Sequence, residues 1–424
     1  MTEYHRLGPD HLAALASGLG GSGAIRELNA SRLSRHLLLL KFLADRWPAD
    51  RRHLDPAVAI LADAQRRDPA VFADLIGDPL VGAWLTRTAR RLRRAAPLTS
   101  DALQLGALAA AAAVRLGLDG EVTGYARRGR LVLPTVGEIE LADRGDGPVT
   151  IAVVKGSAAP AGGSGTSREF RRLTARRDDV TCTVRVDDGD PYRDGYHEDP
   201  SERLPDEEIA RWQRIFDGAW DLIRRYASPR GPELAAGLRV MVPLVNRGDG
   251  SARSGTSRDS VGALGLTPPH SPPDLAITIV HEFQHSKLSA LLDLVPLYAP
   301  GGSETHFAPW RADPRPTGGL IQGVYAFLGV ADVWRGLRAA PGLAGLATEQ
   351  FAFVREQVRT GMAALEGSRE LTAAGVGFVA GMRASLERLN ADAVPHRALD
   401  LARSALEERR SAWRERLRGS NVGN

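Results

Sequence analysis

The spacing of apolar residues changes period twice along this 424-residue chain, and that change limits the fold more than any other feature. Residues 1–118 carry helical spacing. Arg32 to Asp45 has a dense apolar stripe, and Asp101 to Leu116, rich in Ala and Leu, reads as a helix opened by Ser100 or Asp101 as N-cap. Across 119–268 the pattern turns to short β-like runs at 130–134, 138–141, 149–154, 180–186 and 238–245, separated by Gly, Pro, Ser and Asp. One helix interrupts them at 206–226, with Ile209, Trp212, Phe216, Trp220 and Ile223 on one side, while Ala158 to Ser167 reads as a loop. Helical spacing returns over 269–424, with segments at 274–292, 318–334, 345–366, 369–391 and 395–418. The chain is therefore expected to be α+β and mainly helical: a helical N-terminal region (1–118), a small β-rich mixed α/β region (119–268) and a helical metal-binding catalytic region (269–424).

Composition narrows the function classes. An apolar content of 43 % supports a sizeable core. The single cysteine excludes an intramolecular disulfide and any Cys-based zinc cluster, and its place in an alternating run makes Cys182 a small buried residue. Net charge is only +4, and runs such as Arg90 to Arg94 and Arg171 to Arg177 read as solvated helix faces, so no nucleic-acid partner is expected. No apolar run reaches about 18 residues and no signal-type segment follows Met1, so the expectation is a cytoplasmic protein with no membrane span.

Chemistry is concentrated at His281, Glu282 and His285, an HExxH motif inside a strongly apolar stretch. Residues four apart on a helix have Cβ atoms about 5–6 Å apart on one face, so both imidazoles can reach one divalent metal at roughly 2.1 Å. Glu282 lies about 100° further round, where it can act on a bound water or oxyanion. A chance HExxH is the competing explanation, but an apolar helix has no packing reason to hold two His and a Glu. The expectation is a zincin-like helix with His281 and His285 as metal ligands and Glu282 as catalytic residue.

Two imidazoles do not complete a metal site. The next helix carries Gln322 where peptidases of the thermolysin type place a Glu, so Gln322 is a candidate third ligand, with Glu304 and His306 in the preceding Pro-rich loop as alternatives. That loop also holds Arg311 and Arg315. A metal with a fixed guanidinium is what a dicarboxylate cosubstrate requires, which makes both candidate cofactor-binding residues, with Lys287 as a third. Pairing of either Arg with Asp313 or Asp332 is the structural alternative.

The runs Val280-His-Glu-Phe-Gln-His-Ser-Lys-Leu and Ala308-Pro-Trp-Arg-Ala-Asp-Pro-Arg-Pro-Thr-Gly-Gly-Leu-Ile-Gln-Gly-Val resemble the HExxH-type proteins of ribosomal-peptide (RiPP) biosynthesis. These occur alone or fused behind radical SAM maturases that make cyclophane crosslinks. The segment His11 to Leu40 shares the resemblance, which is specific only across 275–335. It implies β-hydroxylation of a residue in a ribosomally made precursor peptide, dependent on iron(II), 2-oxoglutarate and O2, with a radical SAM maturase as a second candidate partner. By that resemblance His281 and His285 map onto the metal ligands and Glu282 onto the motif acid. The alternative is a Zn(II)-dependent metallopeptidase acting on a precursor peptide with Glu282 as general base; a metal-bearing protein that presents the peptide to a maturase is a third class.

Overall fold

The computed structural model describes residues 5–47, 51–96, 98–141, 145–196 and 198–421, the side chains of 417–421 excepted. The fold is α+β and mainly helical. Six helices come first: α1 (Pro9–Ala16), α2 (Gly21–Arg46), α3 (Asp55–Arg67), α4 (Pro69–Ile76), α5 (Pro79–Arg93) and α6 (Thr99–Leu116). Local chemistry sets several of their ends. The Asp68 carboxylate accepts from the amides of Ala70 and Val71 with Pro69 at the first helical position, and Asp78 repeats the device ahead of Pro79. Gly117, at φ 64°, closes α6 in the left-handed conformation. The start of α6 departs from expectation. Its N-cap is Leu98, and Asp101 is instead buried, accepting from Arg91 and from the Tyr192 hydroxyl.

Eight strands follow: β1 (Gly120–Ala126), β2 (Arg130–Leu133), β3 (Gly137–Leu141), β4 (Gly147–Val154), β5 (Ser157–Pro160), β6 (Gly165–Glu169), β7 (Arg171–Arg177) and β8 (Val180–Val186). Two of them, β5 and β6, occupy the stretch read as a loop, because β4 and β3 each offer a free edge for it to pair with. Helices α7 (Asp206–Tyr226) and α8 (Arg230–Gly237) then lead into β9 (Val240–Pro243), β10 (Ser254–Gly255) and β11 (Ala263–Leu266). The sheets are small: β1-β4-β5, β2-β3-β6, and a five-stranded sheet in the order β10-β11-β9-β8-β7 whose central pairs are parallel. Cys182 is buried on β8, where loss of hydration pushes its thiol up to about 12.

The remainder is α9 (Pro272–Leu292), the short pair β12 (Thr305–His306) and β13 (Arg315–Pro316), then α10 (Thr317–Leu337), α11 (Ala344–Glu366), α12 (Ala373–Asn390) and α13 (His396–Asn421). Two large apolar cores organise the chain. One joins α1 and the first half of α2 to β7, β8 and the helices α7 to α12; the other joins α3 to α6 to the sheets of β1 to β4. The arginine runs are not both solvated helix faces: Arg171–Arg177 is strand β7, paired with β8, and Arg90 pairs with Asp259, Arg171 with Asp188 and Asp206, and Arg177 with Asp221. Among the described residues no helix is long and apolar enough to cross a membrane.

Candidate metal centre

Helix α9 is fixed at its start by Ser271, whose hydroxyl accepts from the Asp274 amide, with Pro272 and Pro273 pre-set for the first turn. One flank rests on the five-stranded sheet, where the Gly262 amide at the mouth of β11 donates to Ser286 Oγ at 2.9 Å. On the same flank Ser254, on edge strand β10, donates to Glu282 Oε1 at 2.7 Å. The motif acid is 4 % exposed, so its carboxylate is oriented by a neighbour rather than free in solvent.

His281 and His285 lie one turn apart with their Nε2 atoms 3.2 Å from each other and their rings edge-on at 79°. His285 Nδ1 meets Gln322 Oε1, on α10, at 3.0 Å, and Gln322 Nε2 reaches Ser289 Oγ at 3.4 Å. The amide oxygen is an acceptor only, so His285 donates to it from Nδ1 and presents Nε2 toward His281. Burial pushes the His281 imidazole down to about 3, with His285 adding to the effect, so His281 is neutral. Two donors each about 2.1 Å from one ion at a tetrahedral angle stand roughly 3.4 Å apart, and the observed 3.2 Å separation fits an ion with a slightly narrower angle.

Aromatic packing closes one side of the pair. Phe327 on α10 sits edge-on to His281 at 5.0 Å and stacks on Trp310 from the preceding loop, also at 5.0 Å. Trp310 needs Gly323: a Cβ there would lie 2.3 Å from the indole ring. This explains the glycine beside Gln322 in the middle of a helix.

The other residues singled out from sequence fall in three places. Lys287 is on the opposite side of α9, buried, donating to Glu233 Oε2 at 2.8 Å and to the carbonyls of Gly18 and Leu19 at 3.2 Å each. Burial lowers its pKa to about 8 despite Glu233, and every donor has a partner within the fold, so the structure gives it a packing role in place of the expected anion-binding one. Glu304 and His306 belong to a polar cluster at the start of α10. Glu304 accepts from Ser368 Oγ and the Arg369 amide, and His306 Nε2 meets Thr317 Oγ1, which donates to Glu370. Arg311 and Arg315 both grip Asp313, at 3.0 and 3.2 Å, which holds the loop in shape. The Arg315 guanidinium also lies over Gly319, one turn ahead of Gln322, whereas Arg311 is more than half exposed.

Gln322 thus stands behind His285 instead of beside His281 and His285 as a third donor. Among the described residues no group of three His, Cys, Asp or Glu side chains is placed to hold a metal ion. Sequence reasoning missed Ser254, Phe327 and Trp310. Only Trp310 left a trace, in the glycine it packs against. No protein-family model matches the chain, and no curated protein matches it either.

Proposed function

We propose that this protein is an iron(II)- and 2-oxoglutarate-dependent hydroxylase that modifies the β-carbon of a residue in a ribosomally made precursor peptide. The observation that carries this reading is the pair of imidazoles whose Nε2 atoms converge at 3.2 Å, one of them oriented through its Nδ1 by Gln322. Each candidate third donor is engaged elsewhere: Gln322 on His285 Nδ1, Glu304 on Ser368, His306 on Thr317. Facial-triad iron and catalytic zinc both ordinarily take a third protein donor, so the choice of iron and 2-oxoglutarate rests on the resemblance of the runs around the motif and not on ligand count.

Iron(II) with 2-oxoglutarate would supply oxidation by O2, adding one oxygen atom to the peptide C–H and releasing succinate and CO2. The chain's own residues do the rest. Gln322 keeps the proton of His285 on Nδ1, Phe327 and Trp310 keep water from the flank of His281, and Ser254 turns Glu282 toward the sheet edge. Arg315 is the better placed of the two loop arginines to meet the far carboxylate of 2-oxoglutarate, since it overlies the first turn of α10. A radical SAM maturase acting on the same peptide and a cytoplasmic setting belong to this reading.

The motif spacing and the buried Glu282 favour a zinc-dependent metallopeptidase as the second reading. Glu282→Gln separates the two. A hydrolase losing its base falls by roughly 10²–10⁴-fold, whereas the hydroxylase keeps forming succinate from 2-oxoglutarate. Succinate formation by the iron-loaded wild type and by Glu282→Gln supports the hydroxylase; peptide cleavage by the zinc-loaded wild type that vanishes in Glu282→Gln establishes the peptidase.

A further inference from the structure

Far along the chain from α9, the turn between β1 and β2 and the loop after β8 line a half-open cavity of about 510 Å³. The turn is tight: Arg128, at φ 49°, and Gly129, at φ 71°, are its two central residues, between Arg127 and Arg130, whose backbones bond to each other. Asp190, Pro191, Arg193 and Asp194 also line it, together with Gln104 of α6. No residue of α9 or α10 lines it, and its volume lies within the ordinary range for a small-molecule pocket.

Three side chains here are without the partners a purely structural role would provide. The Nε and Nη1 atoms of Arg193 are buried and have no hydrogen-bond acceptor. Native interiors usually give such donors an acceptor, although Arg32, Arg171, Arg203, Arg224 and Arg355 of this fold also keep a buried nitrogen without one. Arg127 lies over the rings of Tyr125 and Tyr192, at 5.6 and 5.8 Å, and no carboxylate among the described residues pairs with it. Gln104 is 5 % exposed and makes no side-chain hydrogen bond among the described residues, although it carries two donors and an acceptor. Neighbouring cations are already engaged: Arg128 and Arg130 share Glu202, and Arg87 holds Asp194.

We propose that this cavity binds a small molecule bearing a carboxylate or phosphate, with the oxyanion between Arg127 and Arg193 and the polar body of the ligand on Gln104. Planar guanidinium forks match both oxyanions, and the tyrosine ring beneath Arg127 limits its orientations. Asp190 fits the same ligand. Burial and the nearby Asp187 raise its pKa, and its Oδ1 already accepts from the Tyr192 amide, so the carboxyl can carry a proton to share with an anion. This site is independent of the His281–His285 centre, and it stands or falls without the hydroxylase reading.

The test is calorimetric titration of the metal-free full chain with succinate in one arm and inorganic phosphate in the other. One of the two anions is expected to bind, the arm identifying the oxyanion. Affinity should fall about tenfold or more in Arg193→Gln and in Arg127→Gln, and should be unchanged in His281→Ala. Gln104→Leu, which preserves volume, should weaken binding while the circular dichroism spectrum stays native. If Arg193→Gln does not fold, Arg127→Gln on the turn decides the question. Absence of binding by both anions at millimolar concentration overturns the site, as does equal binding by wild type, Arg127→Gln and Arg193→Gln.

Discussion

The two sides of helix α9 carry buried polar groups of opposite character. On one side Lys287 spends its three donors on Glu233 and the carbonyls of Gly18 and Leu19, and Gln284 donates to the carbonyls of Gly18 and Tyr325. Arg230 extends this network to Asp332 on α10. On the other side the Nε2 atoms of His281 and His285 face each other at 3.2 Å. Polar groups that hold a fold together are mostly matched donor to acceptor, as every Lys287 donor is here although the Gln284 Oε1 is buried without a partner, while groups placed to receive a ligand converge on one another. One helix does both, and the difference is visible only in the partners.

The largest predicted effects separate these sides. Glu233→Ala strands the Lys287 ammonium in the interior, and removing one partner of such a pair costs about 3–5 kcal/mol. His281→Ala deletes a part-exposed ring with no structural partner beyond His285 and Phe327, and should cost about 1 kcal/mol while abolishing metal binding. Urea denaturation of the two variants measures both. Equal destabilisation would remove the distinction.

Acid sharpens the comparison next. His36 is a structural histidine whose Nδ1 meets the Ile76 carbonyl at 2.8 Å; burial, reinforced by Arg32, pushes it down to about 4 from an ordinary 6.5. Between those values the unfolded chain binds more protons than the folded one, so stability is lost as pH falls through the window. The full cost, about 3 kcal/mol, is reached below it. His281 shifts in the same direction, but its share should grow when divalent metal is added, since metal competes with protons there. Denaturation between pH 7 and 4 with and without metal should show a metal-independent component that His36→Gln removes and a metal-dependent one that His281→Ala removes.

A smaller effect belongs to Gln322. Gln322→Ala frees the His285 ring to change tautomer and should weaken metal affinity by about 10- to 100-fold with little change in stability. An unchanged affinity would mean that His285 is oriented by helix packing alone.

Regular periodicity made most of the helical architecture legible. The predicted 206–226 helix is α7 residue for residue, and the 180–186 strand is β8. The β5 and β6 strands were not legible, because Ser, Gly and Ala there become strands only through long-range pairing with β4 and β3. At the site, i, i+4 spacing alone located the His pair. The same logic failed for Lys287, since a lysine near a motif looks like a ligand group until Glu233, 54 residues earlier, is seen beside it. The role of Gln322 needed the packing of α10 on α9, and spacing does not say whether an amide meets a metal or the back of a ligand.

The most direct test is anaerobic titration of the purified chain with iron(II) and then 2-oxoglutarate, following the metal-to-ligand absorption band that 2-oxoglutarate chelation produces. One iron per chain is predicted, with the band appearing in wild type and absent from His281→Ala and His285→Ala. Iron binding that survives unchanged in both variants would place the metal elsewhere. Iron bound through the His pair with no band at saturating 2-oxoglutarate would contradict the hydroxylase and put zinc hydrolysis first.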